Sequence, residues 1–177
     1  MKKLGLSLIV LSVLFLKFPN YAAASNWYIG GGFESVTLGE DVDFVDNGSG
    51  LVFNFGVRFT AVTALDFTLS SSTHEEVGLD INYGRFGIGP KFFFSAGSFQ
   101  PFATVGIMSH VLDYKDAAYQ IDGAGLFLGI GCDAYFDPKN SLGFTLISAA
   151  WDAEDNLGIS GDGESGIVRI VYNHHFK

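Results

Sequence analysis

Residues 51–59 read LVFNFGVRF, and the apolar side chains occupy every second position of this stretch. Positions 51, 53, 55, 57 and 59 lie on one side of an extended chain, whereas Val52, Asn54, Gly56 and Arg58 lie on the other side. Strict alternation of this kind predicts a β-strand with one apolar face and one mixed face.

The same period of two recurs along the chain and predicts eight strands. These are residues 26–36, 50–60, 64–72, 82–94, 99–109, 124–136, 142–151 and 165–176. Loops of about nine to fourteen residues follow the first, third, fifth and seventh strands, and short turns follow the second, fourth and sixth. The pattern predicts an all-β fold, an eight-stranded antiparallel up-and-down transmembrane β-barrel.

Residues 1–24 have the organisation of a secretory signal peptide. Two lysines precede an apolar run at residues 4–16, and three alanines at residues 22–24 supply the small side chains of a cleavage site. The run is shorter than the roughly 20 residues of a membrane-spanning helix, although an uncleaved anchor is the alternative. We therefore expect a mature domain at residues 25–177. Its net charge is −12 rather than −9, because the signal contains three lysines and no acids.

The composition excludes several classes of protein. Hydrophobic residues make up 48% of the chain and charged residues only 16%, which excludes intrinsic disorder. The 19 acidic against 10 basic residues exclude a basic nucleic-acid binder. Cys132 is the one cysteine, so a disulfide framework is impossible. After the signal, no run of 18 apolar residues provides a membrane-spanning helix.

Period two alone does not say which face is outside, because a soluble lipocalin-like barrel would have its apolar face inside. Glycine on the mixed face favours a crowded lumen and an apolar face toward lipid. The charges of the mixed face nearly balance, as a buried network requires. These charged residues are Glu34, Asp66 and Asp133 against Arg58, Arg85, Lys91 and Arg169.

Aromatic residues mark one end of the predicted barrel. Each strand that runs toward the short turns ends in an apolar-face phenylalanine, and a tryptophan begins the first strand at the same level. This pattern indicates an aromatic girdle at one membrane interface. The five residues are Trp27, Phe59, Phe94, Phe136 and Phe176.

Most of the acidic residues fall in the predicted long loops. Three lie in the wall and Asp137 lies in a turn, which leaves 15 of the 19 for the loops, where Lys115 is the opposing base. The loop end is therefore predicted to be strongly acidic. The 15 are Glu40, Asp41, Asp43, Asp46, Glu75, Glu76, Asp80, Asp113, Asp116, Asp122, Asp152, Glu154, Asp155, Asp162 and Glu164.

The chain resembles the small outer-membrane β-barrels of Gram-negative bacteria, the OmpA-like and OmpX-like eight-stranded family. The resemblance rests on NWYIGGG at residues 26–32, QPF at 100–102 and RIVYNHHF at 169–176. It implies a monomer in the cell outer membrane, in contact with lipid and lipopolysaccharide and inserted by the barrel-assembly machinery. Phe176 resembles the terminal assembly signal of the family, although His174 and the final Lys177 depart from its pattern.

The resemblance leaves several functions open. The leading hypothesis is a structural role in envelope integrity, or an adhesin-like surface interaction through acidic extracellular loops, without catalysis. Alternatives are a lipid A-modifying enzyme of the deacylase type and a small-solute channel. Ser148 and Glu164 lie where a deacylase would need its residues, but the His-x-Ser pattern is missing. A filled lumen argues against a channel.

No residue is predicted to be catalytic, to bind a cofactor or to ligate a metal. The acidic runs at residues 40–43 and 152–156 offer carboxylates to Ca²⁺ or Mg²⁺, but neither has the spacing of an EF-hand, and a solvated surface is the simpler interpretation. Divalent cations that bridge the loops to lipopolysaccharide phosphates are a candidate interaction. His174 and His175 are adjacent on a strand, so they are predicted to face opposite sides.

Overall fold

The computed structural model describes residues 26–39, 47–76, 79–115 and 119–176, and the predicted signal peptide lies outside these ranges. Consecutive strands pair antiparallel, and β1 pairs with β8, which closes the barrel. The predicted fold class is confirmed. Within these ranges no helix is long and apolar enough to cross a membrane. The strands are β1 Asn26–Leu38, β2 Gly48–Arg58, β3 Thr63–Glu76, β4 Leu79–Phe93, β5 Phe99–Tyr114, β6 Tyr119–Asp137, β7 Asn140–Asp155 and β8 Ser160–Phe176.

The two ends of the barrel differ in their connections. At one end, the turn end, strands are joined by residues 59–62, 94–98 and 138–139. The opposite end, the loop end, contains the β3–β4, β5–β6 and β7–β8 connections, and there the strands are longer than predicted. β6 begins at Tyr119 rather than at residue 124, and β3 continues to Glu76.

The prediction of long acidic loops is therefore wrong for the part of the chain that the structure describes. Ten of the fifteen acids lie in the extended strand ends, and the other five lie outside the described residues. The strands continue because interstrand hydrogen bonds and inward apolar side chains suffice to hold them. Eight of these ten acids are exposed, and acidic segments of this kind are predicted from sequence to be loops. The ten are Glu75, Glu76, Asp80, Asp113, Asp122, Asp152, Glu154, Asp155, Asp162 and Glu164.

The predicted apolar face lies outside. Phe33, Phe53 and Leu128 are 71%, 60% and 61% exposed. At the turn end the predicted girdle is present, with the Trp27 ring stacked on Phe176 at a centroid distance of 4.1 Å. We call this outward belt the apolar band, and its exposure agrees with a surface solvated by lipid.

The predicted ionic network lies in the lumen. Glu34 pairs with Arg85 and with Arg169, whose Nη2 lies 2.9 Å from Glu34 Oε2. Closer to the turn end, Lys91 pairs with Asp133 at 2.8 Å and approaches Asp66 at 3.9 Å. Both carboxylates and cations are thus removed from the outer surface and paired with each other, as their low net charge predicts.

Arg58 differs from the other charged residues of the lumen, because its partners in the described part of the chain are uncharged. It donates to Gln100 Oε1 at 2.6 Å and to the Tyr135 hydroxyl at 3.1 Å, and it lies 4.0 Å from the centroid of the Phe93 ring. Gly56 faces the same region of the lumen, where a Cβ would overlap the Tyr28 ring. The turn end is therefore filled by aromatic rings around one guanidinium.

A second apolar cluster fills the loop end of the lumen, and we call it the apolar plug. It surrounds Tyr83 and Trp151, both of which are buried. Between the plug and the aromatic cluster of the turn end, the described side chains enclose a cavity of about 40 Å³. A volume of that size holds a few water molecules. The plug comprises Val36, Leu38, Ile81, Tyr83, Met108, Leu112, Phe127, Ile147, Ala149, Trp151 and Ile167.

Candidate functional site

Exposed carboxylates form rows on the outer face of β6, β7 and β8 at the loop end. Asp122 lies directly opposite Glu154, and we call these two the upper carboxylates. One row nearer to the apolar band, Asp152 lies directly opposite Asp162, and Glu164 follows two positions further along β8. These three are the lower carboxylates. All five side chains are exposed, so this part of the barrel presents a dense negative surface.

This arrangement of like charges is electrostatically unfavourable. Side chains that lie directly opposite across antiparallel strands have Cβ atoms about 4.5–5.5 Å apart, and like charges at that spacing destabilise the sheet. Within the described ranges none of the five makes an ion pair, whereas the exposed Lys115 pairs with Asp80 at 3.3 Å. A cation that binds beside these carboxylates therefore lowers the electrostatic repulsion between them.

An open groove of about 480 Å³ runs along these carboxylates. Asp122, Asp152, Glu154 and Asp162 all line it. Among the described residues, no group of three or more Asp, Glu, His or Cys side chains could hold one metal ion. The geometry suits cations shared between this surface and a second negative surface, or an extended positive ligand.

The turn between β7 and β8 carries two large apolar side chains beyond the carboxylates. Leu157 and Ile159, the apolar tip, are 75% and 66% exposed. Asp155 holds the turn, since its Oδ1 accepts hydrogen bonds from the backbone N–H groups of Leu157 at 2.9 Å and Ile159 at 2.8 Å. The Tyr119 hydroxyl donates to Oδ2 at 3.0 Å, and Gly158 adopts a φ of 82° that favours glycine. The apolar tip is thus held in one conformation.

The order of this turn is expected to depend on pH through Asp155. The backbone N–H of Ile159, followed by that of Leu157 and the Tyr119 hydroxyl, holds the pKa of the Asp155 carboxyl below its usual range. A depressed folded-state pKa stabilises the turn above the unfolded value of about 3.9, and this contribution is lost as pH falls through the folded pKa. We expect hydrogen-exchange protection at Leu157 and Ile159 to fall in acid, and Asp155→Asn to reduce it already at pH 6.

Asp162→Asn is the matched control for Asp155→Asn, because it removes an exposed acid that holds no turn. It should leave the protection factors at Leu157 and Ile159 unchanged both at pH 6 and in acid. Equal protection in Asp155→Asn and in the unmodified protein at pH 6 would show that the carboxylate does not organise the turn.

The structure separates the residues that a deacylase-type mechanism would need to combine. Ser148 lies on the outer face of β7, whereas His74, His110 and His175 are buried on the lumen side. His174 is partly exposed, but it pairs with Asn140 at the other end of β7. The separation from Ser148 along the strand is about 26 Å at 3.3 Å per residue. Among the described residues, therefore, no histidine is placed to activate Ser148.

The adjacent histidines near the chain end lie on opposite faces, as predicted. His175 faces the lumen, where its Nε2 lies 3.0 Å from Ser141 Oγ. His174 faces the outside, where its Nδ1 lies 2.8 Å from Asn140 Oδ1. The two rings therefore do not share one metal ion. The predicted acidic run at residues 40–43 lies outside the described residues.

Two features of this site were not predicted from the sequence. The acids are visible in the sequence, but their pairing depends on strand register, which the sequence does not specify. The apolar tip was not predicted either, although the turn sequence NLGIS at residues 156–160 places two apolar residues around a glycine in an otherwise polar segment. Isolated apolar residues in such a segment could have indicated a contact surface.

Comparison with known proteins gives a family and several similar folds. The profile of the outer membrane protein β-barrel domain matches residues 8–159. No curated protein matches the chain. The solved structure of OprG from Pseudomonas aeruginosa is 12% identical with a TM-score of 0.61, over 86% of this chain and 96% of OprG. Ail of Yersinia pestis is 15% identical with a TM-score of 0.61, over 87% of this chain and 100% of Ail. Neisserial surface protein A is 13% identical with a TM-score of 0.62, over 85% of this chain and 97% of that protein.

Proposed function

The chain belongs to the outer membrane protein β-barrel domain family, and on this basis we propose that it is a non-catalytic protein of envelope integrity and surface interaction. Its place is the cell outer membrane, in agreement with the similar barrels of OprG, Ail and neisserial surface protein A. Its lower carboxylates contact lipopolysaccharide phosphates through shared divalent cations. The observation that carries the proposal is the position of these carboxylates beside the apolar band.

The rows of the outer face follow one another without a gap. Glu164 lies opposite Ala150, which in turn lies opposite Leu126, a residue of the apolar band that is 67% exposed. Asp152 and Asp162 form the next row. Acids directly beyond the last apolar row are at the level of the lipid headgroups, which in lipopolysaccharide carry phosphates. Two negative surfaces at this level repel each other unless cations lie between them.

Divalent cations are suited to this position. Ca²⁺ and Mg²⁺ prefer carboxylate and phosphate oxygens, and Mg²⁺ commonly binds through one or two carboxylates together with phosphates rather than in an all-protein cage. Such shared ligation does not need three protein side chains around one ion. It also relieves the repulsion between Asp152 and Asp162, which are directly opposite each other.

A non-catalytic role is supported by the separation of Ser148 from the histidines of the described strands. A nucleophilic hydroxyl needs a base within hydrogen-bond reach. The filled lumen likewise supports a role at the outer surface rather than in transport. The name of Ail, the attachment invasion locus protein, is consistent with a surface role in a barrel of similar fold.

Removal of Mg²⁺ by EDTA is expected to lower the melting temperature in membranes that contain lipopolysaccharide. Occupancy at about ten times the dissociation constant adds about 1.4 kcal/mol, which corresponds to about 3–5 °C for a domain of this size. In zwitterionic phospholipid without lipopolysaccharide we expect no such difference. The variant Asp152→Asn/Asp162→Asn should lose at least about half of the Mg²⁺ effect. Heat-modifiable migration on a denaturing gel provides the readout.

Asp137→Asn is the control, because it removes an acid at the end of β6, at the opposite end of the barrel. Its response to Mg²⁺ and EDTA should equal that of the unmodified protein. If the melting temperature does not respond to EDTA in lipopolysaccharide-containing membranes, cation bridging by the lower carboxylates is ruled out.

A further inference from the structure

The apolar tip lies too far from the apolar band to contact the membrane. The apolar band reaches the row of Glu164, which contains Leu126, and Ile159 lies five residues beyond Glu164, about 17 Å along the strand at 3.3 Å per residue. A strand tilt near 45° leaves about 12 Å of height, more than the roughly 5–8 Å of a headgroup layer. Ser160 and Asp162 form the outward face of β8 between Glu164 and Ile159, and both are polar and exposed. The tip therefore projects into the outside medium.

Exposure of two large apolar side chains on an ordered turn needs an explanation. The turn is fixed by the hydrogen bonds to Asp155, and the backbone N–H of Asn156 donates to the carbonyl oxygen of Gln120 on the neighbouring β6 at 3.0 Å. Leu157 and Ile159 are thus presented in a fixed arrangement rather than on a loose loop. A surface that is ordered before binding loses little conformational entropy on binding, which favours association with a partner.

The surroundings of the tip define the charge of the partner. Glu154 and Asp122 form the row next to the turn, with Glu154 directly opposite Ser160. Among the described residues of the loop end, the exposed base is Lys115, and its ammonium already pairs with Asp80. A second copy of this chain would bring the same negative surface against itself. A positively charged partner is attracted electrostatically by the upper carboxylates.

We propose that the apolar tip and the upper carboxylates together form a docking surface for a basic protein segment that carries apolar side chains. Leu157 and Ile159 supply the apolar contact, and Asp122 and Glu154 pair with lysine or arginine side chains beside it. The docking surface rests on the proposed function, because both require the loop end to face the outside of the outer membrane. It differs in using the row furthest from the lipid.

The test uses the full barrel in nanodiscs of zwitterionic phospholipid, without lipopolysaccharide and with EDTA. The probes are a fluorescent 14-residue peptide of alternating lysine and leucine and a lysine-serine peptide of equal charge. We expect Leu157→Ser/Ile159→Ser to bind the lysine-leucine peptide at least about tenfold more weakly than the unmodified protein. The same variant should bind the lysine-serine peptide with unchanged affinity. Asp122→Asn/Glu154→Gln should weaken the binding of both peptides.

Asp152→Asn/Asp162→Asn serves as the charge-matched control and should weaken both peptides less than the upper pair does. Heat-modifiable migration verifies that each variant forms the barrel. Unchanged binding of the lysine-leucine peptide by Leu157→Ser/Ile159→Ser overturns the docking surface, even if the Mg²⁺ response in lipopolysaccharide remains. If the melting temperature does not respond to Mg²⁺ but the peptides bind as expected, cation bridging is contradicted and the docking surface is retained. The two proposals can therefore fail separately.

Discussion

Glu34→Gln is expected to lower the free energy of unfolding by about 3–5 kcal/mol, because removal of one partner from a buried ion pair leaves an uncompensated charge. The side chains of Glu34 and Arg85 are 0% and 1% exposed, and Glu34 also pairs with Arg169. Arg85 has further N–H groups, at Nε and Nη1, without a hydrogen-bond partner among the described residues. The variant would therefore leave two guanidiniums in the lumen without their carboxylate.

Urea unfolding in lipid vesicles, followed by tryptophan fluorescence, measures this loss. Glu164→Gln is the matched control, because the same chemical change is made at an exposed outward position, where an effect within about 0.5 kcal/mol is expected. A Glu34→Gln protein as stable as the Glu164→Gln protein would mean that water or other groups already compensate the two cations. In that case the lumen network would not hold the barrel together.

The fold could be predicted from the sequence because two faces with different solvents impose opposite requirements on alternate residues. At residues 51–59 the outward face meets lipid and the inward face meets a crowded lumen, so the strand follows from the alternation. Its orientation follows only from the glycines and the nearly balanced charges of the mixed face, taken over all strands. The near balance of the wall charges likewise indicated pairing before any contact was known. These predictions rest on solvent and packing, which act at every position along the strand.

The ends of the strands could not be predicted in the same way, because beyond the apolar band the outer solvent is water. Ile121 and Ala153 still face inward and pack against the plug, but Asp122, Asp152 and Glu154 face outward, so the amphipathic pattern of a lipid-facing strand is absent. Asp, and to a lesser degree Glu, is depleted in strands, so the composition of such a segment favours a loop. The distinction is made by interstrand hydrogen bonds, which leave no signature in the side chains.

The candidate site depends on register even more strongly than the strand ends do. That Asp122 faces Glu154 and that Asp152 faces Asp162 follows from the pairing of β6, β7 and β8, and a shift by one residue would move each acid to the other face. Inward residues such as Trp151 fix that register, since they pack only when they face the lumen. The acidic outer surface is therefore positioned by the apolar plug beneath it.

Trp151→Ala is expected to lower the free energy of unfolding by about 3–5 kcal/mol, because it removes the largest side chain of the apolar plug and leaves a cavity. The indole stacks on the His110 ring at a centroid distance of 4.0 Å and lies 6.1 Å from the Tyr83 ring. Trp151→Phe keeps an aromatic ring in this place and should cost less. Urea unfolding in lipid vesicles ranks the two variants.

A double-mutant cycle with Gly163 tests whether the indole itself fills this space. Gly163 lies directly opposite Trp151, and a Cβ there would overlap the indole ring. Gly163→Ala alone is therefore expected to cost about 1–3 kcal/mol by overpacking. In the Trp151→Ala background the added methyl group enters the vacated space, so the same substitution should cost at least about 1 kcal/mol less, a coupling typical of residues in contact. Additive costs would contradict the packing of Gly163 against the indole. In that case the fit of Gly163 to the indole would not explain the β7–β8 register that aligns Asp152 with Asp162, and other residues would fix that register.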